Sequence, residues 1–192
     1  ALGSSRPASS AEHTVAHVWE LAEVVGDPAL ELHGLLVGLA SRMVLEGYRM
    51  FYSRLPDLSV DVPALVQALQ DEPSWENNFD PALQAFAGHI REEVAGMESG
   101  LEVWKRHLDA LLRERSGILS LARESLEDLE RGITALEAAG FPFSIKEYGL
   151  DPSDAFRPFP YIPLLRNRYS TFNLMHELDC EDEPLAALKR VI

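Results

Sequence analysis

Val15, Val18, Ala22 and Val25 recur at helical spacing, while His13, His17, Glu20 and Val24 fall on the opposite side at about 100° per residue. The pattern predicts a helix that packs one face and presents two imidazoles and a carboxylate on the other. Ser9, with Glu12 three positions on, supplies a capping box for its start, and Gly26-Asp27-Pro28 supplies its stop. A second helix over residues 32–55 is apolar nearly all round in its first half, through Leu35, Leu36, Val37, Leu39, Ala40, Met43 and Val44. Such a helix belongs in the centre of a domain rather than on its surface. Gly34 and Gly38, one turn apart, remove side chains where another backbone or a ligand can approach. His33 stands at this helix's N-terminal end.

Further on, residues 56–63 read as a loop, residues 64–70 as a short helix and residues 71–81 as a second loop, with Pro81 suited to the first turn of the next helix. Helical patterns fill residues 82–115 and 118–139, with breaks expected near Gly96 to Gly100 and at Ser116-Gly117. Gly140 and Pro142 stop the last of these, and residues 141–144 read as extended. Ser153 is placed to cap a short turn, whereas Pro158, Pro160 and Pro163 exclude a regular helix after it. Helices near residues 171–178 and 185–191 close the chain. No strand pattern, repeat or low-complexity segment stands out, so the expected fold is an all-α, multi-helix domain of seven or so helices.

Composition narrows the function classes. A chain of 192 residues, 46% hydrophobic and 25% charged, holds one globular domain with an ample core. Its formal net charge of −14 argues against nucleic acid or an anionic membrane as partner, since both require basic surface. Charges interrupt every apolar run before it reaches the length of a membrane span. The single Cys180 excludes an internal disulfide and points to a reducing, cytoplasmic location. The first residues lack both the features of a signal peptide and an initiator Met, as an internal fragment or a processed end would.

Neutral imidazole is the commonest metal ligand, so His13 and His33, each beside a helix start, are candidates for the first half of a metal site; the competing reading is capped helix ends with partly exposed imidazoles. Residue types alone supply no obvious third ligand. Other polar residues read more simply: His89 with Glu92 and Glu93 as a solvated helix face, and His107 and His176 as surface residues. Trp19, Trp75 and Trp104 read as core or interface anchors.

Three stretches together resemble one family. They are Ser5-Arg6-Pro7-Ala8-Ser9-Ser10-Ala11-Glu12-His13 running on to His17-Val18-Trp19-Glu20, then Leu32-His33-Gly34-Leu35-Leu36-Val37-Gly38, and finally Leu165-Arg166-Asn167-Arg168-Tyr169-Ser170-Thr171. Gly140-Phe141-Pro142 and Tyr148-Gly149-Leu150 fit the same pattern. In order and spacing these segments are similar to the glycerol-1-phosphate dehydrogenases of the iron-containing alcohol dehydrogenase and dehydroquinate synthase-like group.

The resemblance implies a two-domain enzyme, of which residues 1–192 match only the helical, metal- and substrate-side C-terminal domain. The N-terminal nucleotide-binding domain, its Gly-rich NAD(P) motif and an aspartate ligand have no counterpart in the chain. By motif position, His13 and His33 would be metal ligands for Zn, Ni or Fe. His17, one turn beyond His13, would relay a proton, and Arg6 would clamp the phosphate of a small phosphorylated substrate. The implied reaction interconverts dihydroxyacetone phosphate and sn-glycerol 1-phosphate in a cytoplasmic homo-oligomer.

The pattern departs from the family at two places. Leu35 stands where a polar residue usually follows His-Gly, and residues 156–163 replace a helical approach to the Arg166 segment. The rival reading is a helical interaction or assembly module that keeps the fold without catalysis. On two histidines alone, this chain is expected to be inactive and largely metal-free. The exposed face left by a missing domain should promote self-association.

Overall fold

The computed structural model describes residues 11–22, 32–71, 74–77, 79–96, 100–165 and 169–189. They form an all-α domain with no strand among them. Nine α-helices are described: α1 (Ala11–Leu21), α2 (His33–Arg54), α3 (Val62–Asp71), α4 (Ala87–Gly96), α5 (Leu101–Ala138), α6 (Pro152–Phe156), α7 (Ile162–Leu165), α8 (Thr171–Glu177) and α9 (Asp182–Leu188). The additional helices lie in the proline-rich stretch, where α6 and α7 are single turns flanking a 3-10 turn over Phe159–Tyr161. Pro152, Pro160 and Pro163 each sit in a first turn, where the missing N–H is not needed, and Pro158 caps the 3-10 turn.

As its composition requires, α2 is the central element. Leu36, Leu39, Ala40, Met43, Val44 and Phe51 are all buried, and α1, α5 and α9 pack around the helix. A Cβ on Gly38 would land on the Phe141 ring, so the close approach foreseen there is made by an aromatic side chain. Among the described residues, Gly34 has open space instead. The comparable device is Gly47, where a Cβ would lie 2.9 Å from Leu188 Cδ2 on α9.

On α1, the apolar stripe serves two cores. Val15 and Trp19 enter the main cluster with α2, while Val18 joins Leu83, Phe86, Ile90 and Leu165 in a smaller one. Trp19 is fully buried and its indole N–H donates to the Ala155 carbonyl at 3.3 Å. Trp104 is likewise buried and donates to Glu177 O at 2.9 Å, whereas Trp75 packs edge-on against Phe79 in the smaller cluster. The Ser9 cap, Val24, Val25 and the Gly26-Asp27-Pro28 stop lie outside the described residues.

Two expectations are corrected. No break occurs at Ser116-Gly117, since α5 runs unbroken from Leu101 to Ala138. Gly117 faces open space, and one glycine costs a helix only about 1 kcal/mol. Within a long helix, cooperative propagation offsets that loss. The cap of α6 is Asp151 rather than Ser153: its Oδ1 accepts from Ser153 N at 2.8 Å, with Pro152 in the first turn. The stop at Gly140 is as expected, with the left-handed φ of 82° that favours glycine.

Candidate functional site

Packing Val15 and Trp19 inward turns the polar face of α1 outward, and the contact of α1 with α2 brings His33, the first residue of α2, against it. The three histidines expected from the sequence converge there. The rings of His17 and His33 stack at 4.7 Å between centroids, and those of His13 and His33 lie 5.4 Å apart and tilted by 60°. His13, His17 and His33 keep 28%, 43% and 42% of their side-chain surface, so the cluster is an open face and not an enclosed cavity.

Carboxylates organise the imidazoles. Glu20 reaches both neighbours, with Oε1 2.8 Å from His33 Nδ1 and Oε2 3.0 Å from His17 Nδ1. Glu12 stands 3.1 Å from His13 Nδ1. Donor atoms of His17, Glu20 and His33 lie within 4.8 Å of one another, while His13 stands beside that triplet without belonging to it. Imidazole nitrogen and carboxylate oxygen are the donors a catalytic divalent transition ion takes, so the residues present fit such an ion in chemistry. Arg6 lies outside the described residues, as do Arg166 and Arg168.

Leu35 has a different role from the polar group the family pattern would place there. Its side chain packs against the main core and its carbonyl lies 3.2 Å from the Tyr148 hydroxyl, which also reaches Pro142 O at 3.0 Å. Burial chiefly, with the charge of Glu147, pushes the Tyr148 phenol up to about 12.

Glu20 is the carboxylate of this cluster that spacing exposed but did not link to His33. Its place on the histidine face of α1 is legible at three residues from His17, whereas its bond to His33 depends on how α1 meets α2. His107 is also more than a surface residue. Its Nδ1 lies 2.9 Å from Glu177 Oε1, and the Tyr169 hydroxyl donates to Oε2 of the same carboxylate at 2.6 Å. Although the ring is half exposed, desolvation of its hydroxyl and the bond to that carboxylate raise the Tyr169 phenol above its ordinary range. His176 pairs with Glu181 at 3.2 Å, and His89 lies 3.2 Å from the Leu165 carbonyl. Cys180 is half-buried with its thiol pushed up to about 12, mainly by burial, which makes it a poor nucleophile. It lines a hollow of about 390 Å³ with Phe51, Arg54 and Glu183, away from the histidine cluster.

No family model matches the sequence, and no solved structure matches it. Two curated proteins do. The glycerol-1-phosphate dehydrogenase [NAD(P)+] of Geobacillus stearothermophilus is 27% identical over 179 residues, covering 92% of this chain and 35% of the relative. The protein of the same description from Geobacillus thermodenitrificans (strain NG80-2) is 29% identical over 124 residues, covering 60% of this chain and 30% of the relative. The chain spans about a third of the length of the curated relatives it matches. The similarity anticipated by the histidine motifs covers nearly the whole sequence: this chain is similar to the glycerol-1-phosphate dehydrogenases.

Proposed function

We propose that this chain is the helical, metal- and substrate-side C-terminal domain, of dehydroquinate synthase-like type, of a cytoplasmic NAD(P)-linked oxidoreductase that interconverts dihydroxyacetone phosphate and sn-glycerol 1-phosphate. The observation that carries the reading is the convergence of His13, His17 and His33 on one open face, in a chain similar along most of its length to enzymes of that description. His13 and His33 are the residues that hold the metal, with the remaining ligand and the nucleotide site on an N-terminal domain. When bound, a divalent ion (Zn, Ni or Fe) supplies Lewis-acid polarisation of the substrate oxygen, and the nicotinamide carries the hydride. His17, stacked on His33, moves the proton of that oxygen through its Nε2, and Arg6 takes the substrate phosphate.

The openness of the face supports a covering domain, because hydride transfer needs a site from which water is excluded. Leu21 and Leu32, adjacent in sequence to Glu20 and His33, are 70% and 66% exposed, as expected of residues that meet another surface. No helix among the described residues is long and apolar enough to cross a membrane. The test is oxidation of NADH and NADPH by the full-length protein with dihydroxyacetone phosphate. Saturable turnover is expected, and inactivity with this substrate and with related ketones and polyols would refute the reading.

A further inference from the structure

Each imidazole of the cluster turns its Nδ1 toward a carboxylate: His13 to Glu12, His17 and His33 to the two oxygens of Glu20. An ionised carboxylate accepts hydrogen bonds and cannot donate them. A neutral imidazole that bonds one must therefore carry its proton on Nδ1 and leave the Nε2 lone pair free. No hydrogen bond from Nε2 of His13, His17 or His33 to a described residue competes with that assignment. Glu20 is itself held in place, since α1 packs against the core through the buried Val15, Val18 and Trp19.

We infer that Glu20 is the positioning residue of this site: one carboxylate fixes His17 and His33 together in the Nδ1–H tautomer and presents both Nε2 atoms outward, His33 to hold the metal and His17 to move the proton. The inference rests on the metal reading above for the roles of the two Nε2 atoms, but the tautomer assignment stands on the hydrogen bonds alone. It also accounts for a polar partner at this site although Leu35 faces the core. The orienting group comes from α1, across the helix–helix contact, and not from the residue following His33-Gly34.

The test combines two readouts on wild type and Glu20→Gln. Long-range ¹H–¹⁵N correlation on histidine-labelled chain reports which ring nitrogen carries the proton. In wild type, His17 and His33 should both be Nδ1–H. In Glu20→Gln the amide offers one oxygen to accept and one NH₂ to donate, so at least one of the two rings should change to Nε2–H. Circular dichroism should show the fold retained, since Glu20 is a partly exposed residue. Zinc titration of the full-length protein should show affinity about 10–100-fold weaker in the variant.

Nε2–H rings in wild type, or both rings unchanged in Glu20→Gln, would overturn the inference. So would unchanged zinc affinity in a variant whose tautomer has shifted, or zinc bound through Nδ1 of His33. If wild type takes up no zinc, the metal reading fails by itself, and the ring tautomers still decide the role of Glu20.

Discussion

At the scale of single residues, contacts that sequence spacing does not carry decide how the site is supported. Tyr148 is the clearest case: fully buried, it ties the carbonyl of Leu35, two residues beyond His33, to that of Pro142 beyond the end of α5. Its phenol is pushed up to about 12, chiefly by burial. Above pH 10 the unfolded chain releases this proton while the folded chain retains it. The stabilisation is therefore complete below pH 10 and declines as pH rises toward 12. Tyr148→Phe should cost about 1 kcal/mol at pH 7 through the lost hydrogen bond. It should also make the alkaline fall in stability shallower. Urea unfolding at pH 7 and pH 11 measures both, and parallel losses in wild type and variant at the two pH values would contradict the assignment.

At the scale of elements, patterns that depend only on the local chain were legible. The apolar first half of α2 predicted a central helix over residues 32–55, and α2 spans His33–Arg54 with its apolar positions covered by α1, α5 and α9. What failed was local punctuation read without context. Ser116-Gly117 looked like a boundary, yet it lies inside a helix of 38 residues, about 57 Å long at 1.5 Å per residue. Because Gly117 is helical and exposed with open space at its Cβ, Gly117→Ala should stabilise the domain by about 1 kcal/mol. A thermal or urea denaturation series checks this, and a loss of stability would mean the helix is interrupted there after all. Ser153 failed for a related reason: Asp151, beside Pro152, was the stronger cap, and two residues of register separate the alternatives. The site divides along the same line. His13, His17 and Glu20 share a face of one helix and could be grouped from spacing, whereas the bond from Glu20 to His33 is a tertiary contact.

At the scale of the whole molecule, the histidine face is an open one on a domain matching about a third of its relatives' length. The apolar first half of α2 is packed inside the core. Leu21 and Leu32 remain exposed next to the site, and Leu121 along α5. The reading of a metal-dependent, NAD(P)-linked active site rests on these imidazoles, and His33 is their common neighbour, stacked on His17, beside His13 and bonded to Glu20. The decisive measurement is dihydroxyacetone phosphate-dependent NAD(P)H oxidation by the full-length protein, wild type against His33→Ala, both supplied with divalent metal. Loss of one metal-holding imidazole should lower kcat/KM by at least about 100-fold, or about 2.7 kcal/mol of transition-state stabilisation. A folded His33→Ala protein with turnover within a factor of two of wild type would show that the chemistry lies elsewhere.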